Sequence, residues 1–226
     1  MPARVFLIGG GRDPEGVAAS HAPFAAAVDG PVLCIVLDDP EQPPDLDRWT
    51  TNLVSAGVTD VRPLPVSAAR PAAAADLAGA GGVYVAGGWT PGYQEAVCSH
   101  EFATALRDSG LPYAGFSAGA AIAPGLALVG GWRFEAVAVC DEDAGEGLDE
   151  LDVRPGLGLV PFAVDVHATQ WGTLTRLAHA VAGGLVPGGV AVDEHTCVEV
   201  RGGELTLHGS GSAYRVGLGT LHVLRP

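Results

Sequence analysis

Basic residues are scarce in this chain: 12 lysines and arginines stand against 26 aspartates and glutamates, a formal charge of −14. A surface so poor in cations cannot neutralise a run of phosphates, which excludes nucleic acid as an expected partner. There are only four cysteines, Cys34, Cys98, Cys140 and Cys197, with no Cys-x-x-Cys pair. That spacing excludes a disulfide scaffold or a cysteine zinc site and reads as reduced, buried thiols. No run of about 20 apolar residues is present to cross a membrane, and the apolar stretch 5–8 is too short for a signal-peptide core, so the expected location is the cytoplasm. Gly-x-x-x-x-Gly-Lys is absent, and the dinucleotide fingerprint that Gly9 and Gly11 begin is broken by Pro14. The seven histidines are scattered, without His-Glu-x-x-His, so neither a metal nor any other cofactor is expected.

What the chain does have is apolar content and alternation. At 226 residues and 48% hydrophobic it can fill the core of one domain, and nothing in it marks a linker, so a single domain over 1–226 is expected. Short apolar runs at 4–8, 32–37, 58–63, 83–86 and 112–116 read as strands separated by helix-length segments. This alternation predicts an α/β fold: a doubly wound, mostly parallel sheet with helices on both faces. A helical pattern covers 92–109, stopped by Gly110 and Pro112. An apolar helix is expected from Ser117 to about residue 126, then a hairpin around Gly130 and Gly131. Residues 141–152 hold seven acidic side chains and read as an exposed loop. A helix over 169–182 leads into a β-rich C-terminal part with strands at 188–192, 197–200, 204–207 and 220–224.

One motif carries chemistry. Gly115-Phe116-Ser117-Ala118-Gly119 lies between an expected strand and an expected helix, the setting of a nucleophile elbow. Small residues on either side let strand and helix approach while the serine hydroxyl projects from the sheet end. The helix start aims free amides at a reacting carbonyl, which makes Ala118 a candidate oxyanion donor. Gly87 and Gly88, at the end of the fourth strand, allow a second close backbone approach, with Gly88 as the second donor. A serine hydroxyl needs a base. His167, at the end of the run Val164-Asp165-Val166, is the first candidate and His195 the second. For the acid that orients the base, the chain offers Glu135, the cluster at 141–152 and Asp165, and spacing does not choose among them.

Taken in order, these segments resemble peptidase family S51, which contains dipeptidase E and cyanophycinase and whose fold is like that of class I glutamine amidotransferases. The resemblance rests on Gly9-Gly10-Gly11, Gly87-Gly88, the extended elbow through Ala121, Asp165-x-His167 and Asp193-Glu194-x-Thr196. It implies a serine-type peptidase with Ser117 as nucleophile, His167 as base and Glu135 as the acid of the triad. The partners it implies are a small peptide of aspartyl or β-aspartyl type and, at most, a second copy of the chain. Trp89-Thr90 and Ala168 to Gly172 depart from the family's usual residues near where substrate binds. Two rivals predict other outcomes: an α/β-hydrolase-type esterase, whose base would be His208 or His222, and a binding protein that keeps the fold without the chemistry. Glutamine amidotransfer itself needs a cysteine where Ser117 stands.

Overall fold

The computed structural model describes residues 4–39 and 43–226. The first half of the chain alternates β1 (Val5–Ile8), α1 (Pro14–Ala25), β2 (Val32–Leu37), α2 (Leu46–Ser55), β3 (Val61–Val66), β4 (Gly82–Val85), α3 (Thr90–Val97), α4 (His100–Ser109) and β5 (Tyr113–Phe116). The second half continues with α5 (Ala118–Ala121), β6 (Leu126–Gly130), β7 (Arg133–Phe134), β8 (Val137–Ala138), β9 (Asp152–Pro155), β10 (Ala163–Val166) and α6 (Thr173–Ala182). It ends in β11 (Gly189–Val192), β12 (Thr196–Arg201), β13 (Glu204–Gly209), β14 (Ala213–Gly217) and β15 (Thr220–Leu224).

Strands β1, β5, β4, β2 and β3 lie side by side in that order, all parallel, and β12 and β13 extend the sheet antiparallel beyond β1. Because the central strands are covered on both faces, they are almost wholly apolar rather than alternating; every residue of β1, β4 and β5 is buried. Along β5 the side chains still alternate in direction. Phe116 meets His21 of α1 and Trp49 of α2, whereas Gly115 faces the backbone of α5. Helices α1 and α2 therefore cover one face, and α3 and α5 the other, where α5 also packs on β10. A second sheet, β10-β11-β14-β15, has β10 and β11 parallel and the last two strands antiparallel.

Several expected boundaries move for identifiable reasons. The third strand lies at 61–66, three residues later than expected, because its two prolines interrupt the apolar pattern. The helix over 92–109 is two helices, since Ser99 caps α4 by accepting the Phe102 amide at 3.2 Å. The helix after Ser117 lasts a single turn before Pro124-Gly125 redirects the chain. The hairpin at Gly130-Gly131 does not form: β6 pairs with β9, and the tight turn falls at Glu135-Ala136, both with positive φ. Helix α6 begins at Thr173, after Gly172 in a left-handed conformation. Cys34 and Cys197 are buried as expected, but Cys98 and Cys140 are only partly covered. Burial pushes the Cys34 thiol up to about 12, which keeps it unreactive.

Two buried polar groups tie the layers together. His21 is fully buried; its Nδ1 donates to the Val17 carbonyl at 2.7 Å, which leaves Nε2 to accept from the Tyr84 hydroxyl at 2.9 Å. Asp165 of β10 and Arg176 of α6 form a buried bidentate pair at 2.7 and 2.9 Å. Arg176 also donates to the Ala144 carbonyl at 2.5 Å, pinning the acidic segment to the second sheet.

Each generates a test. Burial pushes His21 from 6.5 down to about 4, so the unfolded chain binds a proton in a range where the folded chain does not. Stability from this group is full above pH 6.5 and is lost as pH falls toward 4, by about 3 kcal/mol in all. Urea unfolding of His21→Gln should show a flatter dependence across that window than wild type; an unchanged slope would refute the assignment. Replacing Arg176 by Met strands the Asp165 carboxylate, and calorimetry or urea unfolding should register a loss of about 3–5 kcal/mol. Hydrogen exchange at residues 141–147 should rise in the same variant.

Candidate active site

Parallel neighbours end together, and this brings the glycine clusters to the serine. Ile8 lies beside Phe116 and Val85 beside Gly115, so the chain leaving β1 and the chain leaving β4 flank Ser117. The Ser117 amide donates to the Ile8 carbonyl at 2.8 Å and the Gly119 amide to the Ala86 carbonyl at 3.2 Å. A side chain at residue 115 would come within 2.3 Å of the Gly119 backbone, and one at residue 119 within 2.2 Å of the Val85 carbonyl oxygen. The sharp reversal between β5 and α5 therefore requires both glycines, and it leaves Ser117 at φ 51°, ψ −111°, outside the favoured regions for a residue with a Cβ.

The same rule in the second sheet brings the other groups together. Val166 pairs with Val192, so His167 and the segment Asp193-Glu194 leave neighbouring strand ends. His167 Nε2 lies 2.8 Å from Ser117 Oγ, and its Nδ1 lies 2.8 Å from Glu194 Oε1. An ionised carboxylate only accepts, so Nδ1 carries the proton and Nε2 is free to accept from the serine hydroxyl. Burial pushes the imidazole below its ordinary value, against the opposing pull of Glu194. Asp193 holds the framework: it accepts from the amide and hydroxyl of Thr169, from the Ser212 amide and from the Tyr214 hydroxyl. Gln170 Oε1 accepts the Glu194 amide at 3.0 Å.

Ala118 is the first residue of α5, so its amide has no partner within the helix. Among the described residues, neither that amide nor the Gly88 amide bonds a backbone carbonyl. Gly87 packs on the serine itself; a Cβ there would lie 3.1 Å from that of Ser117. Gly87, Gly88, Ser117, His167 and Glu194 line a cavity of about 790 Å³. Arg12, Arg48 and Asp39 line it from the side of α1 and α2, and Asp143 and Glu146 from the acidic segment, with Trp89 and Trp171 between. Trp89 and Thr90 are latched to that segment: Thr90 Oγ1 donates to Glu146 Oε1 at 2.9 Å, and Trp89 Nε1 to the Glu146 carbonyl at 3.1 Å. Burial raises the Glu146 carboxyl, and the Thr90 bonds counter it.

Of the residues singled out from sequence, Ser117, His167, Ala118, Gly87 and Gly88 come together at one place, but Glu135 does not. It is exposed at the β7–β8 turn, and the His167 nitrogen that it was expected to hold is taken by Glu194. Asp165, the alternative, is consumed by Arg176. His195 packs its ring on Gly11 and accepts the Asp13 amide at 3.2 Å, while His208 pairs with Glu199 at the far edge of the central sheet and His222 is exposed on β15. The acidic segment, expected as a solvated loop, supplies Asp143, Glu146 and Gly147 to the cavity wall.

The profile of peptidase family S51 matches residues 46–208. Among solved structures, that of a peptidase from an acI-B1 Actinobacterium superposes with a TM-score of 0.70 at 16% identity, over 99% of this chain and 94% of the other. A proposed peptidase E from Listeria monocytogenes EGD-e gives 0.60 at 16% identity, over 93% and 100%. No curated protein matches in sequence. With a matched profile that spans most of its length and an α/β architecture shared with these structures, the chain belongs to peptidase family S51.

Proposed function

We propose that the chain is a serine peptidase in which Ser117 attacks an amide carbonyl, His167 takes its proton and Glu194 holds the imidazole. The observation that carries this reading is the unbroken chain of contacts Ser117 Oγ–His167 Nε2 and His167 Nδ1–Glu194 Oε1, each 2.8 Å. As the serine oxygen bonds to the carbonyl carbon, its proton passes to Nε2 and negative charge collects on the carbonyl oxygen. The amides of Ala118 and Gly88 meet that charge, a contribution of about 3 kcal/mol for one well-placed donor. Collapse of the intermediate expels the amine, which takes the proton from His167; water then hydrolyses the acyl-enzyme by the same route. The strain at Ser117, of order 1–3 kcal/mol, keeps the hydroxyl exposed at the turn.

For substrate, we propose a small peptide of aspartyl or β-aspartyl type. A cavity with Arg12 and Arg48 on one side and Asp143 and Glu146 on the other suits a short zwitterion, its carboxylate toward the arginines and its ammonium or guanidinium toward the acidic segment.

A fluorophosphonate probe tests the nucleophile. Wild type should be labelled and Ser117→Ala should not, and an unlabelled, folded wild type would leave the binding-protein reading in front. A panel of Asp-X and β-Asp-Arg dipeptides then tests the substrate class. Glu194→Gln should slow cleavage by about 10²–10⁴-fold, as loss of the orienting carboxylate does in serine hydrolases, whereas Glu135→Gln should change it less than about twofold. The reverse result would restore Glu135 to the triad.

A further inference from the structure

The two edges of the His167 ring are occupied by Ser117 and Glu194, and its two faces are closed as well. On one, the chain at Gly10 passes so near that a Cβ would lie 2.1 Å from His167 Cε1. On the other, the indole of Trp171 lies flat, with ring centroids 3.9 Å apart and planes 9° from parallel. The result is an asymmetry of exposure: the His167 side chain is 7% exposed, whereas Trp171 is 44% exposed, with its outer surface lining the cavity. The short turn after β10 holds the indole in place, because the Trp171 amide donates to the His167 carbonyl at 2.9 Å and Asp193 fixes Thr169 between them.

We propose that Trp171 is a positioning residue for the base: a cap that keeps water off the open face of His167, so that the imidazole stays neutral and fixed in the plane shared with Ser117 and Glu194. The catalytic part of this inference rests on the serine-peptidase reading; the cap itself does not. Water on the face of an imidazole favours its protonated form, and excluding it favours the neutral form that can accept a proton. The indole face also attracts an imidazolium, which acts in the opposite direction. With only one face open in the absence of Trp171, the loss of hydration dominates, in line with burial being the principal influence on His167. The charged groups facing the ring are few: Glu194 on Nδ1, with Asp165 and its partner Arg176 behind. None of these changes when residue 171 is replaced.

The test is a proton NMR titration of His167, assigned by its loss in His167→Ala, in wild type and in Trp171→Ala and Trp171→Leu. The midpoint in wild type should lie below 6.5, should rise by about one pH unit, a tenfold change in proton affinity, in Trp171→Ala, and should return toward wild type in Trp171→Leu, whose side chain covers the face without an aromatic ring. Trp171→Ser replaces the alanine variant if that one does not fold. In steady-state kinetics the acid limb of kcat/KM should follow the same shifts, with kcat above the limb about tenfold lower in Trp171→Ala and KM within about twofold. An unmoved His167 midpoint in the alanine or serine variant overturns the proposal, as does a change confined to KM, the mark of an indole that only touches substrate. If wild type neither labels with fluorophosphonate nor cleaves peptide, the peptidase reading fails, and the NMR titration still decides whether Trp171 caps the imidazole.

Discussion

Where β1 ends, the backbone runs directly beneath the imidazole of His167, and the rest of the site is arranged around that approach. The Gly9 carbonyl accepts the His167 amide and the Gly10 carbonyl accepts the His195 amide, so the end of a central-sheet strand is stitched to the ends of two strands of the other sheet. Ser117 stands on one sheet and the His167–Glu194 pair on the other, and these glycines are where the two meet. Strain gathers at this seam. Ser117, His167, Glu146 and His195 are four of the six non-glycine residues with positive φ among those described, and three of the four line the cavity. Such conformations persist only where surrounding packing over-determines them, and here they stand at the edges of a core in which Phe6, Tyr84, Tyr113 and Phe116 are almost wholly buried.

The cavity's two arginines stand on one side, together with Asp39, and the acidic segment stands on the other. Arg48 belongs to α2 and Arg12 to the approach to α1, both on the Phe116 face; Asp143 and Glu146 come from the segment that Arg176 fastens to the opposite side. The departures at Trp89 and Thr90 find a physical account here, since both side chains are bonded to Glu146. They join the turn that carries Gly88 to the acidic wall, and a change in one is therefore felt by the other.

Much of this was legible in the residues. Four strands, β1, β2, β4 and β5, announce themselves because a doubly covered parallel strand is a continuous apolar run, and the turn at Ser117 because its glycines are forced by backbone contacts rather than by preference. β14 was not foreseen, since Ala213-Tyr214-Arg215-Val216-Gly217 is short and follows a Ser-Gly stretch. The carboxylate that lies against His167 was missed for a different reason. Glu194 stood in view beside His195, but its partner is 27 residues earlier, and only the parallel pairing of β10 with β11 puts the two strand ends side by side. Glu135 is nearer to Ser117 in sequence, yet its hairpin points it into solvent. The usable signal was topological: a histidine one residue past a strand and a glutamate two residues past the next parallel one.

Chain order also separates the parts of the site in time. During synthesis Ser117 and its turn leave the ribosome well before Glu194, and His167 comes between them. A nascent chain that stops short of β11 holds a hydroxyl but no carboxylate to set the imidazole tautomer, and the sheet that would carry both has yet to assemble. The chain of contacts from Ser117 through His167 to Glu194 thus closes only once the C-terminal strands are in place.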